Sequence, residues 1–127
     1  MSTQPKQHNS GFLELVNDAK TRVQEIDIAQ YQQMVAARDP HMLVDVREES
    51  EWAAGHVAGA VHLGKGIIER DIEKTAPDKD TKLVLYCGGG FRSALAADAL
   101  RKMGYTQAIT LDGGWRALQG SGLPLEK

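Results

Sequence analysis

Cysteine is nearly missing from this sequence: Cys87 is the only one among 127 residues. An intrachain disulfide is therefore excluded, as is a cysteine cluster for zinc, and a redox cycle that needs a resolving thiol must take it from a partner or a small thiol. Stability has to come from packing. An excess of either charge is also missing, with 15 Lys and Arg against 17 Asp and Glu and a formal net charge of −2. No broad basic field draws the chain onto nucleic acid or anionic lipid. No apolar run approaches the ~20 residues needed to span a bilayer, and the polar start, Met1 to Asn9, lacks the basic and then apolar segments of a secretory signal. The expected location is the cytoplasm, with neither nucleic acid nor membrane as a partner.

What is present, 42% hydrophobic and 25% charged residues, suits one soluble globular domain. Residues 1–9 are polar and patternless, and are expected to form a disordered tail. From Ser10, a candidate N-cap, the residues Phe12, Leu15, Val16, Ala19 and Val23 fall on one helical face, predicting an N-terminal helix over 10–24. Asp27 is placed to cap a second helix carrying Ile28, Tyr31, Met34 and Val35 and ending near Asp39-Pro40. The apolar runs 42–46, 83–86 and 108–111 predict buried strands, 57–63 a further strand and 66–74 a short helix. A helix over Phe91 to Met103 should stop at Gly104. Strands alternating with helices predict an α/β fold whose mostly parallel sheet is covered on both faces.

Chemistry concentrates where the apolar run Leu83-Val84-Leu85-Tyr86 ends at Cys87 and is followed by Gly88-Gly89-Gly90-Phe91-Arg92-Ser93. In parallel α/β sheets ligands bind beyond the carboxyl ends of strands, where Cys87 would stand. Glycines let successive backbone N–H groups converge into an anion-binding nest ahead of a helix. The thiolate is the nucleophile and a free thiol titrates near 8.5, so the chemistry needs neighbours that favour the anion. Loop N–H groups, the helix terminus and the Arg92 guanidinium are the candidates. The same donors would stabilise a persulfide anion and charge developing during transfer.

At this loop the sequence resembles the rhodanese homology domain, and two flanking segments strengthen the match. Leu43-Val44-Asp45-Val46-Arg47-Glu48, with Glu51-Trp52 and Gly55-His56-Val57-Ala58-Gly59-Ala60-Val61-His62 after it, is similar to the family's first signature; Leu111-Asp112-Gly113-Gly114-Trp115 is similar to its C-terminal one. The resemblance runs from about Glu25 to Pro124, giving a domain over 25–127. It implies a central, mostly parallel sheet of about five strands flanked by helices, and transfer of sulfane sulfur from thiosulfate or a persulfide donor to a thiol or cyanide. It also implies Cys87 as the residue that carries the persulfide, ringed by Gly88, Gly89, Gly90, Phe91 and Arg92. A small-molecule sulfur donor and an acceptor thiol or sulfur-carrier protein are the implied partners, and the chemistry calls for no metal or organic cofactor.

Four residues, 88 to 91, separate Cys87 from Arg92. Cysteine-based protein phosphatases, and the phosphatase relatives of rhodaneses, resemble each other in having five, and such phosphatases usually have histidine where Tyr86 stands. A shorter ring fits one sulfur better than a tetrahedral phosphate. A Cys-dependent phosphatase and a non-catalytic binding module nevertheless stay as alternatives. Family members efficient with thiosulfate often carry cations just after the cysteine, whereas Gly88 and Gly89 supply none. That counts against thiosulfate itself and leaves a persulfide relay open beside it.

Asp45, at a strand end, either faces the site and orients Arg92 or another loop group, or acts as a turn acceptor holding Arg47. Arg47 in turn either attracts an anionic donor or pairs with Glu51. Both are kept as candidate substrate-binding residues. His56 and His62 sit among small or apolar residues with no clustered ligands and read as structural. Trp52 and Trp115 read as core or rim, Trp115 also as a candidate pocket wall.

Overall fold

The structure, a computed structural model, describes residues 8–127. Residues 1–7 of the expected tail lie outside the described residues. The elements run α1 (Ser10–Lys20), β1 (Gln24–Ile26), α2 (Ile28–Ala36), β2 (Met42–Asp45), α3 (Glu49–Ala54), β3 (His56–Val57), β4 (Val61–His62), α4 (Ile68–Thr75), β5 (Leu83–Tyr86), α5 (Arg92–Lys102), β6 (Ala108–Leu111), α6 (Gly114–Gln119) and β7 (Leu125–Glu126). Five strands form one sheet in the order β1-β6-β5-β2-β4, every pairing parallel. The expected parallel α/β sheet of about five strands is the one observed.

The central strands are buried on both faces, which is why they read as unbroken apolar runs. Along β5 the side chains alternate. Leu83 and Leu85, and Cys87 just beyond them, point into a cluster with Ile68 and Ile72 of α4 and Leu100 of α5. Val84 and Tyr86 point the other way, to Tyr31 of α2 and Leu118 of α6. Leu83, Leu85 and Leu100 are wholly buried, each worth about 1.5–3 kcal/mol relative to exposure.

Local signals set the element ends. Asp27 accepts from the Gln30 N–H at 2.8 Å while the Gln30 side chain accepts from the Asp27 N–H at 2.8 Å, a capping box that starts α2 as its sequence predicts. Helix α1 differs from its prediction at both ends. Asn9 rather than Ser10 occupies the cap, and the helix stops at Lys20 instead of continuing to 24. The chain must straighten there because Gln24, Glu25 and Ile26 pair with Ile109, Thr110 and Leu111 as the sheet's first edge strand. Arg22, in the intervening turn, donates to Asp98 of α5 at 2.8 and 3.0 Å and to Asp18 at 2.7 and 3.1 Å, fastening α1 along α5. The segment 57–63, predicted as one strand, divides between two sheets. β3 pairs antiparallel with β7, and β4 pairs parallel with β2. Among the described residues no helix is long and apolar enough to cross a membrane.

Candidate active site

The site lies between the carboxyl end of β5, the central strand, and the first turn of α5. Cys87 is buried, with 1% of its surface exposed, and is a free thiol. Its Sγ accepts from the backbone N–H of Gly90 at 3.1 Å and of Ser93 at 3.4 Å. Gly90 has φ +102°, and a Cβ there would press on the Leu111 carbonyl at 3.2 Å, so glycine at this position lets the N–H turn back onto the sulfur. The thiol also reaches Ser93 Oγ at 3.5 Å, and Ser93 Oγ shares a hydrogen bond of 2.7 Å with Thr110 Oγ1 of β6. Ser93 and Thr110 are both wholly buried.

The start of α6 seats the other side of the loop. Trp115 N–H donates to the Cys87 carbonyl at 2.7 Å and Arg116 N–H to the Gly88 carbonyl at 3.3 Å. Gly114, at φ +45°, passes so close that a Cβ would overlap the Cys87 carbonyl. The Leu111-Asp112-Gly113-Gly114-Trp115 segment thus serves the loop by close backbone approach.

A cavity of about 780 Å³ opens above the sulfur. Cys87, Gly88, Gly89, Phe91 and Arg92 of the predicted loop line it, whereas Gly90 contributes its N–H from behind. Arg92 does not stand free in it. Its guanidinium donates to both carboxylate oxygens of Glu51 in α3, at 2.9 and 3.2 Å. That hydrogen-bonded pairing holds Arg92 above, and Glu51 below, their ordinary titration ranges. Glu51 Oε1 also accepts from the Glu48 N–H at 3.0 Å in the cap of α3, so one carboxylate joins that helix to the loop.

Asp45 and Arg47 are not brought to the cavity. Of the alternatives in the sequence, Asp45 takes the one in which it holds Arg47. The pair is buried, with Arg47 Nη2 at 2.7 Å from Asp45 Oδ2 and donating also to the Gly55 carbonyl at 2.6 Å. Arg47 does not pair with Glu51, which Arg92 holds. Burial works most strongly against the Arg47 charge, but the hydrogen bond to Asp45 and the attraction of the surrounding negative groups, Asp45 first, together outweigh it, so the guanidinium titrates above its ordinary value. Its face lies 4.5 Å from the Trp115 ring, which places Trp115 with this support and not at the cavity wall. His56 and His62 each set a ring nitrogen against a backbone carbonyl, of Trp52 at 2.9 Å and of Arg47 at 2.8 Å.

Several site residues escaped the sequence reading. Ser93 and Thr110 lie behind the sulfur, Glu51 holds Arg92, and the cavity wall includes His8, Phe12, Arg116 and Ala117. Thr110 left one signal, as the only hydroxyl in the apolar run of β6. His8 and Phe12 left none. Their rings reach Phe91 only through the packing of α1 on α5, at centroid distances of 4.5 and 6.3 Å.

The family model for the Rhodanese-like domain matches residues 27–121. The chain belongs to this family. A sulfurtransferase of Allochromatium vinosum is 34% identical over 103 residues, covering 81% of this chain and 94% of that protein. Among solved structures, a thiosulfate sulfurtransferase from Pseudomonas aeruginosa superposes with a TM-score of 0.73 at 28% identity, over 83% of this rhodanese-like chain and 20% of that one. The protein RPA3614 of Rhodopseudomonas palustris, of unknown function and described as a possible tyrosine phosphatase, superposes with a TM-score of 0.80 at 27% identity, over 97% of this chain and 99% of that one. The likeness to RPA3614 takes in the helix ahead of the family domain.

Proposed function

We propose that this rhodanese-like protein is a sulfurtransferase in which Cys87 accepts sulfane sulfur from thiosulfate or a persulfide and passes it, as a persulfide, to a thiol or cyanide. The observation that carries the reading is the cradle at Sγ, where the N–H groups of Gly90 and Ser93 converge on a sulfur at the floor of an open cavity. Preorganised donors of this kind favour the thiolate and the persulfide anion without rearrangement during reaction. With Cys87 as thiolate, the Ser93 hydroxyl donates to Sγ and the Thr110 hydroxyl donates to Ser93 Oγ, adding a third donor. The thiolate attacks the outer sulfur of the donor. A bond forms between Sγ and that sulfur, the donor's S–S bond breaks, and its electron pair leaves on sulfite or on a thiolate. An acceptor thiolate or cyanide then attacks the outer sulfur of the persulfide and Cys87 leaves as thiolate. Arg92, paired with Glu51, holds the loop against α3.

The likeness to RPA3614 favours one second reading, a Cys-dependent phosphatase working through a phosphocysteine. The loop of four residues between Cys87 and Arg92 and the pairing of Arg92 with Glu51 argue against it, because they leave the ring small and without a free guanidinium. Incubation with thiosulfate or an organic persulfide, free of reductant, is expected to add the mass of one sulfur atom at Cys87 and to leave Cys87→Ser unlabelled. Equal transfer by Cys87→Ser, or no labelling of the wild type by either donor, overturns the proposal. Hydrolysis of an aryl phosphate that disappears in Cys87→Ser would install the phosphatase in its place.

A further inference from the structure

The cavity over Cys87 is far larger than a sulfur atom needs. Its volume of about 780 Å³ lies in the range of sites that enclose whole organic ligands. Its wall is apolar on one side, where Phe12 and His8 of the N-terminal segment pack with Phe91 of the loop, and Ala117 of α6 continues the lining. His8 and Phe12 precede residue 27, where the match to the family domain begins, so this wall is an addition to the shared fold.

The cations around the cavity are not equivalent. Arg92 is held by Glu51. Lys20, 5.5 Å from the Phe91 ring centroid, is bound to Glu25 at 3.0 Å. Arg116 lines the cavity, is exposed and has no carboxylate partner among the described residues. Its backbone N–H is anchored to the Gly88 carbonyl, which fixes the side chain's origin on the rim. Gly88 and Gly89, which follow Cys87 in the ring and line the cavity, carry no side-chain charge. A donor whose negative charge sits directly on the transferred sulfur's neighbour, as in thiosulfate, meets no free side-chain cation there. A donor with its charge some atoms away meets Arg116.

From this we infer that the cavity is built for a low-molecular-weight organic persulfide, R–S–SH, whose carbon skeleton lies against Phe12 and Phe91 and whose carboxylate is recognised by Arg116. The inference rests on the sulfurtransferase reading and narrows it. The step balances without an oxidant: the Cys87 thiolate bonds to the outer sulfur, which keeps its proton, and the donor's S–S bond breaks with its electron pair leaving on R–S⁻. Arg suits the task because its planar fork matches a carboxylate with two hydrogen bonds.

The test measures the rate at which one sulfur is added to Cys87 of the full chain by mass spectrometry, using N-acetylcysteine persulfide, its methyl ester and thiosulfate. In the wild type the acid is expected to react faster than the ester, and faster than thiosulfate. Arg116→Ala should slow the acid about tenfold, the worth of one charge-assisted hydrogen bond, and leave the ester within about twofold. Arg116→Lys should restore part of the loss, because a point charge keeps the attraction without the fork. Equal slowing of acid and ester, or no slowing of either, overturns the role of Arg116 while the sulfurtransferase reading stands. A wild type that loads thiosulfate faster than the acid overturns the proposed donor class. Absence of any sulfur on Cys87 removes the sulfurtransferase reading and this inference with it.

Discussion

Gly114→Ala is the sharpest test of how the reactive loop is held. The residue sits at φ +45°, and a methyl group there would overlap the Cys87 carbonyl. Left-handed backbone costs an alanine about 1–2 kcal/mol. Relieving the overlap moves the start of α6 off the loop and weakens the hydrogen bonds from Trp115 N–H to Cys87 O and from Arg116 N–H to Gly88 O, each worth about 1 kcal/mol. Together these lower stability by about 3 kcal/mol, equivalent to a Tm lower by roughly 10 °C. The sulfur-loading rate should fall further than stability suggests, by up to about 100-fold, because the displaced atoms belong to Cys87, the proposed nucleophile. Gly66→Ala serves as the control. A Cβ at Gly66 meets nothing within 4 Å, so its stability should stay within about 0.5 kcal/mol of the wild type. Thermal unfolding and single-turnover loading of the two variants decide the matter. If Gly114→Ala matches Gly66→Ala in both, α6 does not seat the loop and the account given for the C-terminal glycines is wrong.

Two further outcomes follow from other contacts. Ser93→Ala removes the hydroxyl between Sγ and Thr110 while keeping the Ser93 N–H, and should slow sulfur loading about fivefold to tenfold; an unchanged rate would show that the backbone N–H groups suffice. Asp98, hydrogen-bonded to Arg22 against the opposing effect of burial and drawn also by Lys102 of its own helix, has its carboxyl lowered to about 2. A depressed folded-state value gives stability that is present above the unfolded value near 4 and is lost as pH falls towards 2. Because Arg22 stays 32% exposed, screening reduces this contribution to about 1 kcal/mol. Asp98→Asn should therefore be less stable than the wild type by about that much in urea at pH 7, and the gap should close near pH 2; a gap that persists there would assign the loss to packing.

The parts of the site that could be read from the sequence are those made by neighbours in the chain. An apolar run ending in a cysteine and three glycines announces a strand, a backbone nest and a helix within one continuous segment, and β5, Cys87 and α5 stand accordingly. Asp27 announces its helix in the same local way. What stayed hidden depends on distant pairing. β1 has a single buried residue, Ile26, too little pattern to betray an edge strand, and so the helix predicted over 10–24 extends up to its first residue, Gln24. Helices α3 and α6 have six residues each, under two turns, and show no usable period. Asp45 and Arg47 illustrate the limit most clearly. Two residues apart, they could be recognised as partners, but whether that partnership faced the cavity depended on Gly55 and Trp115 closing over it.

The division of labour around Cys87 follows from where charge is absent. With glycine at positions 88 and 89, the ring that surrounds the sulfur acts through backbone N–H groups, which favour any anionic sulfur and cannot distinguish one donor from another. The guanidinium of Arg92 is bound to Glu51 and adds rigidity more than selectivity. On the proposed function, discrimination falls to groups farther out, and these come from segments with unrelated structural origins: Arg116 from α6 and the rings of His8 and Phe12 from the N-terminal segment, which lies outside the matched family region. Arg22 binding Asp98 fixes that segment's helix against α5, the helix whose first turn supplies the Ser93 N–H to the sulfur. The N-terminal part of the wall and the Ser93 N–H are thus both held by α5, so on the proposed function the side chains at positions 8, 12 and 116 can alter donor preference while the backbone donors at Sγ and the backbone seat that α6 gives the loop stay in place.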